Sequence, residues 1–195
     1  MAGRLGMLVS LLAVVGSFAA VRSGRSATVD DTARDVVAGW HSDAADRIVP
    51  IVTDLGSVYG LAGVSAALAA QGHHRLARDV ATTGLAAWTV AQGVKPALVR
   101  DRPYELGTAA RRVAVPAGSS WPSGHVAVTA AFATTVSPSL SAGARLVLWS
   151  AVGSVGVSRL HVGVHHATDV IAGWGIGALC ATAWRRLVSR HRQRQ

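Results

Sequence analysis

Charged residues are scarce in this 195-residue chain: 15% are Asp, Glu, Lys or Arg, against about a quarter in an average soluble domain. Half of the residues are apolar and the mean hydropathy is positive. A soluble all-helical protein with Ala-rich core helices would need far more polar outer-face positions than this. Cysteine occurs once, at Cys180, which excludes an internal disulfide framework and a multi-cysteine metal site. In its apolar stretch Cys180 reads as a small buried hydrophobe. The clustered carboxylates of a magnesium site are missing too. Asp30-Asp31 is the only adjacent acidic pair, and a solvated loop is its expected setting.

Lysine is nearly absent. Of nineteen basic residues, eighteen are Arg and one is Lys95, a hint that a compact ammonium is wanted there. The formal charge of +9 does not point to nucleic acid, because no basic face interleaved with aromatics exists. Basic residues instead flank apolar segments and gather in the tail as Arg185, Arg186, Arg190, Arg192 and Arg194. That is the distribution of membrane anchors and topology signals.

What the chain does have is six apolar segments, roughly Leu5–Val21, Pro50–Ala70, Val80–Leu98, His125–Pro138, Ala144–Val157 and His165–Trp184. A bilayer core about 30 Å thick takes about 20 helical residues. The pattern predicts one all-α domain over residues 1–195, a bundle of six transmembrane helices. Residues 1–21 form its first transmembrane helix or, given Arg4 and the small residues Ser17-Phe18-Ala19-Ala20, a cleaved signal peptide. Residues 185–195 form a basic cytoplasmic tail. Small residues in Gly56-Ser-Val-Tyr-Gly60 and Gly173-Trp-Gly175-Ile-Gly177 are spaced for close helix packing. With the tail and the Gln71–Arg78 loop inside, Asp30, Asp31, Asp35, Asp43 and Asp46 fall outside.

Three clusters then fall on the outer side. They are Lys95-Pro-Ala-Leu-Val-Arg-Asp-Arg102-Pro103, Pro122-Ser123-Gly124-His125, and Ser158-Arg159 followed by His165 and Asp169. His165 and Asp169 are four apart at the expected start of the last helix, so they share a face. A carboxylate there keeps one imidazole nitrogen protonated and leaves the other as a free lone pair, a nucleophile's arrangement. His125 opens another helix, and two helix starts offer unsatisfied amides to an anion. Lys95, Arg102 and Arg159 add three cations suited to the oxygens of a phosphoryl group in transfer. Ser123 and Gly124 add a hydroxyl and an unobstructed amide. Charge neutralisation by these cations replaces that of magnesium, so no metal and no cofactor is called for.

The three clusters resemble the tripartite pattern K-x6-R-P, P-S-G-H, S-R-x5-H-x3-D of the type 2 phosphatidic acid phosphatase superfamily, whose other branch is the vanadium haloperoxidases. All eleven specified positions are filled in order, and the likeness spans about Lys95 to Trp174. The resemblance implies an active site at the extracytoplasmic ends of the last three helices of a multi-pass inner-membrane protein. It implies His165 as the nucleophile that forms a phosphohistidine, Asp169 as its orienting group and His125 as the acid that protonates the leaving oxygen. Lys95, Arg102, Ser123, Gly124 and Arg159 are the implied phosphate contacts, and a lipid phosphate in the bilayer the implied substrate.

Other residues admit two readings. His166 lies three positions from Asp169 and rivals His165, although the spacing from Arg159 favours His165. His161 reads as loop packing or substrate contact, and His73 and His74 as solvated. Arg100, Arg111 and Arg112 fit either interfacial anchoring or a second phosphate. Trp40 and Trp121 suit an interfacial belt, and Asp101 and Glu105 suit tuning of nearby arginines. Polyprenyl diphosphate, phosphatidic acid, phosphatidylglycerol phosphate and a polyprenyl-linked sugar phosphate all place a phosphate at the right depth. An outward-facing site favours carrier-lipid recycling, with undecaprenyl diphosphate the example. Transfer to an alcohol other than water is the alternative reaction. Haloperoxidase chemistry is disfavoured, because that branch is soluble and larger.

Overall fold

Serine starts three of the helices. Ser42, Ser57 and Ser141 accept hydrogen bonds from Ala45 N, Gly60 N and Ala144 N, satisfying amides that a first turn leaves unpaired. In the computed structural model, which describes residues 2–192, eight helices and no strands are found among the described residues. They are α1 (Ala2–Arg22), α2 (Ala27–Ala38), α3 (Asp43–Asp54), α4 (Val58–Ala70), α5 (His74–Val94), α6 (Gly124–Val136), α7 (Ala142–His161) and α8 (Ala167–Arg192). Short 3-10 turns at Lys95–Ala97 and Ser137–Ser139 follow α5 and α6. Met1 and residues 193–195, the last of the basic tail, lie outside the described residues.

Among the described residues one helix, Arg4–Arg22, is by length and composition apolar enough to cross a bilayer. The second apolar segment of the sequence is broken, since α3 and α4 meet at a 63° bend and pass the same test only as a pair. The bend follows from the chain itself. A β-carbon at Gly60 would lie 2.8 Å from the carbonyls of Asp54 and Leu55, so glycine allows the two helices to fold this close. α6 has 13 residues, about 20 Å of rise against a hydrocarbon core of about 30 Å.

α6 forms the centre. Ala127, Ala130, Ala131 and Ala133 are fully buried along it, and their small side chains let neighbours approach closely. α8 packs mainly against α6 and α1. At Gly173 an added β-carbon would stand 3.2 Å from Val126 Cβ and would press on Ser123 O. At Gly177 it would lie 2.7 Å from Ala131 N. On its other side α8 meets α1 through Val14, Phe18, Trp121 and Ala172. Trp121 is buried there, its ring edge-on to Phe18 at 5.5 Å and its Nε1 donating to Ser17 Oγ at 3.3 Å. The interfacial setting expected of Trp121 is therefore incorrect, because the α1–α8 seam takes it. Trp40 is exposed.

The last helix begins later than the sequence suggested. Gly163 turns the chain at φ 73°, the Asp169 carboxylate accepts the His166 amide at 2.8 Å, and helical backbone starts at Ala167. His165 thus sits on the loop before α8 and reaches Asp169 from outside the helix. α5 and α7 end, and α6 and α8 begin, on one side of the bundle. On the opposite side Trp184 near the end of α8 donates to Asp79 at the start of α5, 3.1 Å away.

Candidate active site

One backbone hydrogen bond joins the two helix starts: Ser123 N donates to Asp169 O at 3.0 Å, with Ser123 the N-cap of α6 and Asp169 in the first turn of α8. It brings His125, the second residue of α6, to the same end as His165. His165 Nδ1 faces Asp169 Oδ2 at 3.4 Å, which leaves Nε2 on the far edge of the ring. Burial first, and then the fields of Arg159 and Arg102, pushes the His165 imidazole down to about 3, against the opposing pull of Asp169. A neutral ring with Nδ1 toward a carboxylate presents Nε2 as a lone pair.

The cations converge on the same place. Lys95, beyond the end of α5, donates through Nζ to Ser119 O and, at 3.4 Å, to Pro122 O. Arg102 Nη2 donates to that same Ser119 carbonyl at 3.2 Å, and also to Ala117 O and Gly118 O. Its Nη1 donates to Val164 O at 2.8 Å, next to His165. Arg102 is 1% exposed, a buried guanidinium held by carbonyls and not by a carboxylate. Burial first, then the nearby Arg102 charge, lowers Lys95 to about 8. Arg159, in the last turn of α7, is near enough to act on Lys95, His125 and His165 electrostatically.

Six buried side-chain polar atoms make no hydrogen bond among the described residues, and four of them belong to this end of the bundle: Ser120 Oγ, Ser123 Oγ, Arg102 Nε and Arg159 Nε. Buried donors are nearly always paired. Orphans drawn from all three motif clusters, beside three cations and two helix starts, have the chemistry of an oxyanion site. The structure thus gathers Lys95, Arg102, Ser123, Gly124, His125, Arg159, His165 and Asp169 at one end of the bundle. His166 takes a different part. Its amide donates to Asp169 Oδ2 at 2.8 Å while its ring meets Asp101 O at 3.1 Å, away from the carboxylate.

The N-terminal third contributes groups that sequence reasoning missed. Asp30 is buried, not solvated. Its Oδ1 accepts Thr168 N at 2.9 Å and its Oδ2 accepts Arg100 Nη2 at 2.5 Å. Arg100 Nη1 donates in turn to Asp169 Oδ1 at 2.6 Å. One guanidinium therefore bridges two buried carboxylates, and the reading of Arg100 as an interfacial anchor or second-phosphate contact does not hold. The other candidates for a second phosphate are engaged as well: Arg112 Nε pairs with Asp46 at 3.1 Å, and Arg111 lies over the Tyr104 ring. Thr53 Oγ1, at the end of α3, accepts Arg159 Nη1 at 2.8 Å and Ser158 Oγ at 2.9 Å. Glu105 accepts the Arg102 amide at 2.7 Å, in keeping with the tuning role expected of it. None of the N-terminal partners belongs to a spaced motif. A threonine in an apolar run is the only signal Thr53 offered.

A protein-family model described as the PAP2 superfamily matches residues 76–193. Two solved structures are similar to this chain. The LpxE of Aquifex aeolicus superposes with a TM-score of 0.71 at 20% identity, covering 78% of this chain and 92% of that one. The first transmembrane PAP2 type phosphatidylglycerolphosphate phosphatase from Bacillus subtilis gives a TM-score of 0.79 at 19% identity, covering 94% and 96%. No curated protein matches the sequence.

Proposed function

The chain belongs to the PAP2 superfamily, and from that premise we propose that it is a metal-independent phosphatase acting on a lipid-linked phosphate in a bilayer. The observation that carries this is the set of orphaned buried donors beside Lys95, Arg102 and Arg159, with an oriented imidazole at its edge. In this reading the cations and the α6 start grip the equatorial oxygens and neutralise the charge of transfer. His165 Nε2 attacks phosphorus, an N–P bond forms, and the P–O bond to the lipid breaks. His125 gives its proton to the departing oxygen. His125 then takes a proton from water, water attacks phosphorus, the N–P bond breaks, and inorganic phosphate leaves. Asp169 steadies the ring as positive charge develops on it.

The lipid class rests on the neighbouring surface. An apolar cavity of about 470 Å³ lies between α7 and α8, lined by Val126, Gly156, Leu160, Ala167, Val170 and Trp174. Val126 and Leu160 adjoin His125 and Arg159 in sequence, so this groove opens beside the proposed phosphate grip and suits a hydrocarbon chain. Residues 1–195 act as one multi-pass domain. α1, the bent α3–α4 pair and α5 to α8 supply its six spans, with the short α6 lying inside the bundle. Total Lys and Arg counts at the two ends are nearly equal, so the support for an extracytoplasmic site is the cluster Arg185, Arg186 and Arg190 toward the opposite end and the acidic residues Asp30, Asp31, Asp35, Asp43 and Asp46 in the stretch that reaches the site. With Arg100, Arg111 and Arg112 engaged, the support for a second phosphate is reduced, and a terminal phosphate monoester is the preferred group.

The test is phosphate release from a panel of dispersed lipid phosphates. Release persists in excess chelator, is blocked by vanadate, and is lost in His165→Ala. Loss on chelation overturns the metal-free mechanism. Activity retained in His165→Ala overturns the assignment of the nucleophile.

A further inference from the structure

Away from the phosphate grip, three ligand-bearing side chains meet at a point the chemistry above does not use. Asp46, in the first turn of α3, directs Oδ1 at two imidazoles: His161 Nε2 at 2.7 Å and His41 Nδ1 at 3.0 Å. The two rings have centroids 4.2 Å apart. His161 is buried in the last turn of α7, and His41 lies on the loop between α2 and α3. The second carboxylate oxygen is held from outside by Arg112 Nε at 3.1 Å, from the loop between α5 and α6.

We propose that His41, Asp46 and His161 form a binding site for a first-row divalent transition metal, with zinc the best match. Their ligand atoms all lie within 4.8 Å of one another. A tetrahedral zinc with bonds of about 2.0–2.2 Å holds its ligands about 3.3 Å apart, so the two Asp46–imidazole separations, 2.7 and 3.0 Å, need to widen by only a few tenths of an ångström to admit it. Two imidazoles and one carboxylate are borderline ligands that select zinc over calcium or magnesium, which take oxygen alone. Three protein ligands leave a fourth position for water. Arg112 supplies what a ligating carboxylate usually has, a hydrogen bond to its free oxygen that fixes its orientation. The ligands come from the α2–α3 loop, α3 and α7, and the Arg112 loop closes over them. The ion would clamp the N-terminal helices to the end of α7, two residues from Arg159, without touching phosphate.

The experiment uses the full chain in detergent, stripped with chelator and desalted. Zinc is titrated against a chromophoric competitor, and cobalt is titrated in parallel for its visible d–d bands. One zinc per chain, four-coordinate cobalt bands and a rise in Tm with zinc are expected. The exposed ligand is the variant to use: His41→Gln weakens zinc binding by about a hundredfold or more and abolishes the Tm rise, while phosphate release in chelator stays unchanged. Arg112→Gln, removing an outer-sphere contact, weakens binding by about 10- to 100-fold. His165→Ala binds zinc as the unaltered chain does. The proposal falls if no stoichiometric zinc binds, if His41→Gln binds equally well, or if His165→Ala alone loses the metal, which would place the ion in the phosphate pocket. None of these outcomes bears on whether the chain releases phosphate.

Discussion

The segment from Lys95 to Asp169 and the N-terminal stretch up to Ala70 contribute to the same site in different ways. The first holds every group proposed to touch phosphorus or its oxygens. The second holds none of them, yet it props three: Asp30 through Arg100 to Asp169, Thr53 to Arg159, and Gly56 under His125, where an added β-carbon would stand 2.9 Å from the His125 Cβ. Chemistry fixes the residue types and spacing of the first region. The second has only to supply one acceptor, or one missing side chain, at each point. It teaches that a reaction is written in motifs while its rigidity is held by isolated residues.

The comparison is broken or sharpened by substitution on each side. The largest effect belongs to the motif side. Asp169→Asn removes the charge that steadies His165 and lowers kcat by about 10³- to 10⁴-fold, read from phosphate release under saturating lipid phosphate. Next comes the prop. Asp30→Asn loosens Arg100 and lowers kcat by about 10- to 100-fold with KM little changed, the pattern of a misplaced group and not of a lost contact. Arg100→Ala strands two buried carboxylates and lowers stability by about 3–5 kcal/mol. Adding Asp30→Asn restores part of that Tm, because one unpaired charge is then gone. If Asp30→Asn costs as much as Asp169→Asn, the division between actors and props is wrong. The smallest effect is Thr53→Val, isosteric but without an acceptor. Leaving the Arg159 donor unsatisfied costs about 1–3 kcal/mol, expected as a rise in KM of several-fold or more.

A pH profile sharpens the same division from the side of Lys95. Burial and Arg102 bring this amine to about 8, so the cationic form proposed to grip phosphate is present below that value and lost above it. kcat/KM should therefore fall about tenfold per pH unit well above 8, and Lys95→Arg should move that limb upward. An unchanged limb in Lys95→Arg removes Lys95 from the phosphate grip.

What the sequence made legible follows from the same contrast. The helical class, the three clusters and their meeting at one end could be read because periodicity and motif spacing are local properties. The break between Asp54 and Val58 in the second apolar segment could not, since hydropathy averages across a 63° bend. Nor could the burial of Asp30 and Trp121. An acidic pair reads as solvent-facing until a long-range partner such as Arg100 neutralises one member, and a tryptophan at a segment edge reads as interfacial until a helix seam covers it. The later start of α8 came from a carboxylate capping a neighbouring amide, which becomes visible only once the side chain's direction is known.

The hydrogen bond from Ser123 N to Asp169 O has a mechanical consequence. It lashes the start of α6, which carries His125, to the first turn of α8, which carries Asp169, so the two helix starts cannot separate without breaking it. The lashing is main chain to main chain, so drift in either side chain leaves it standing; proline at position 123 would be needed to cut it.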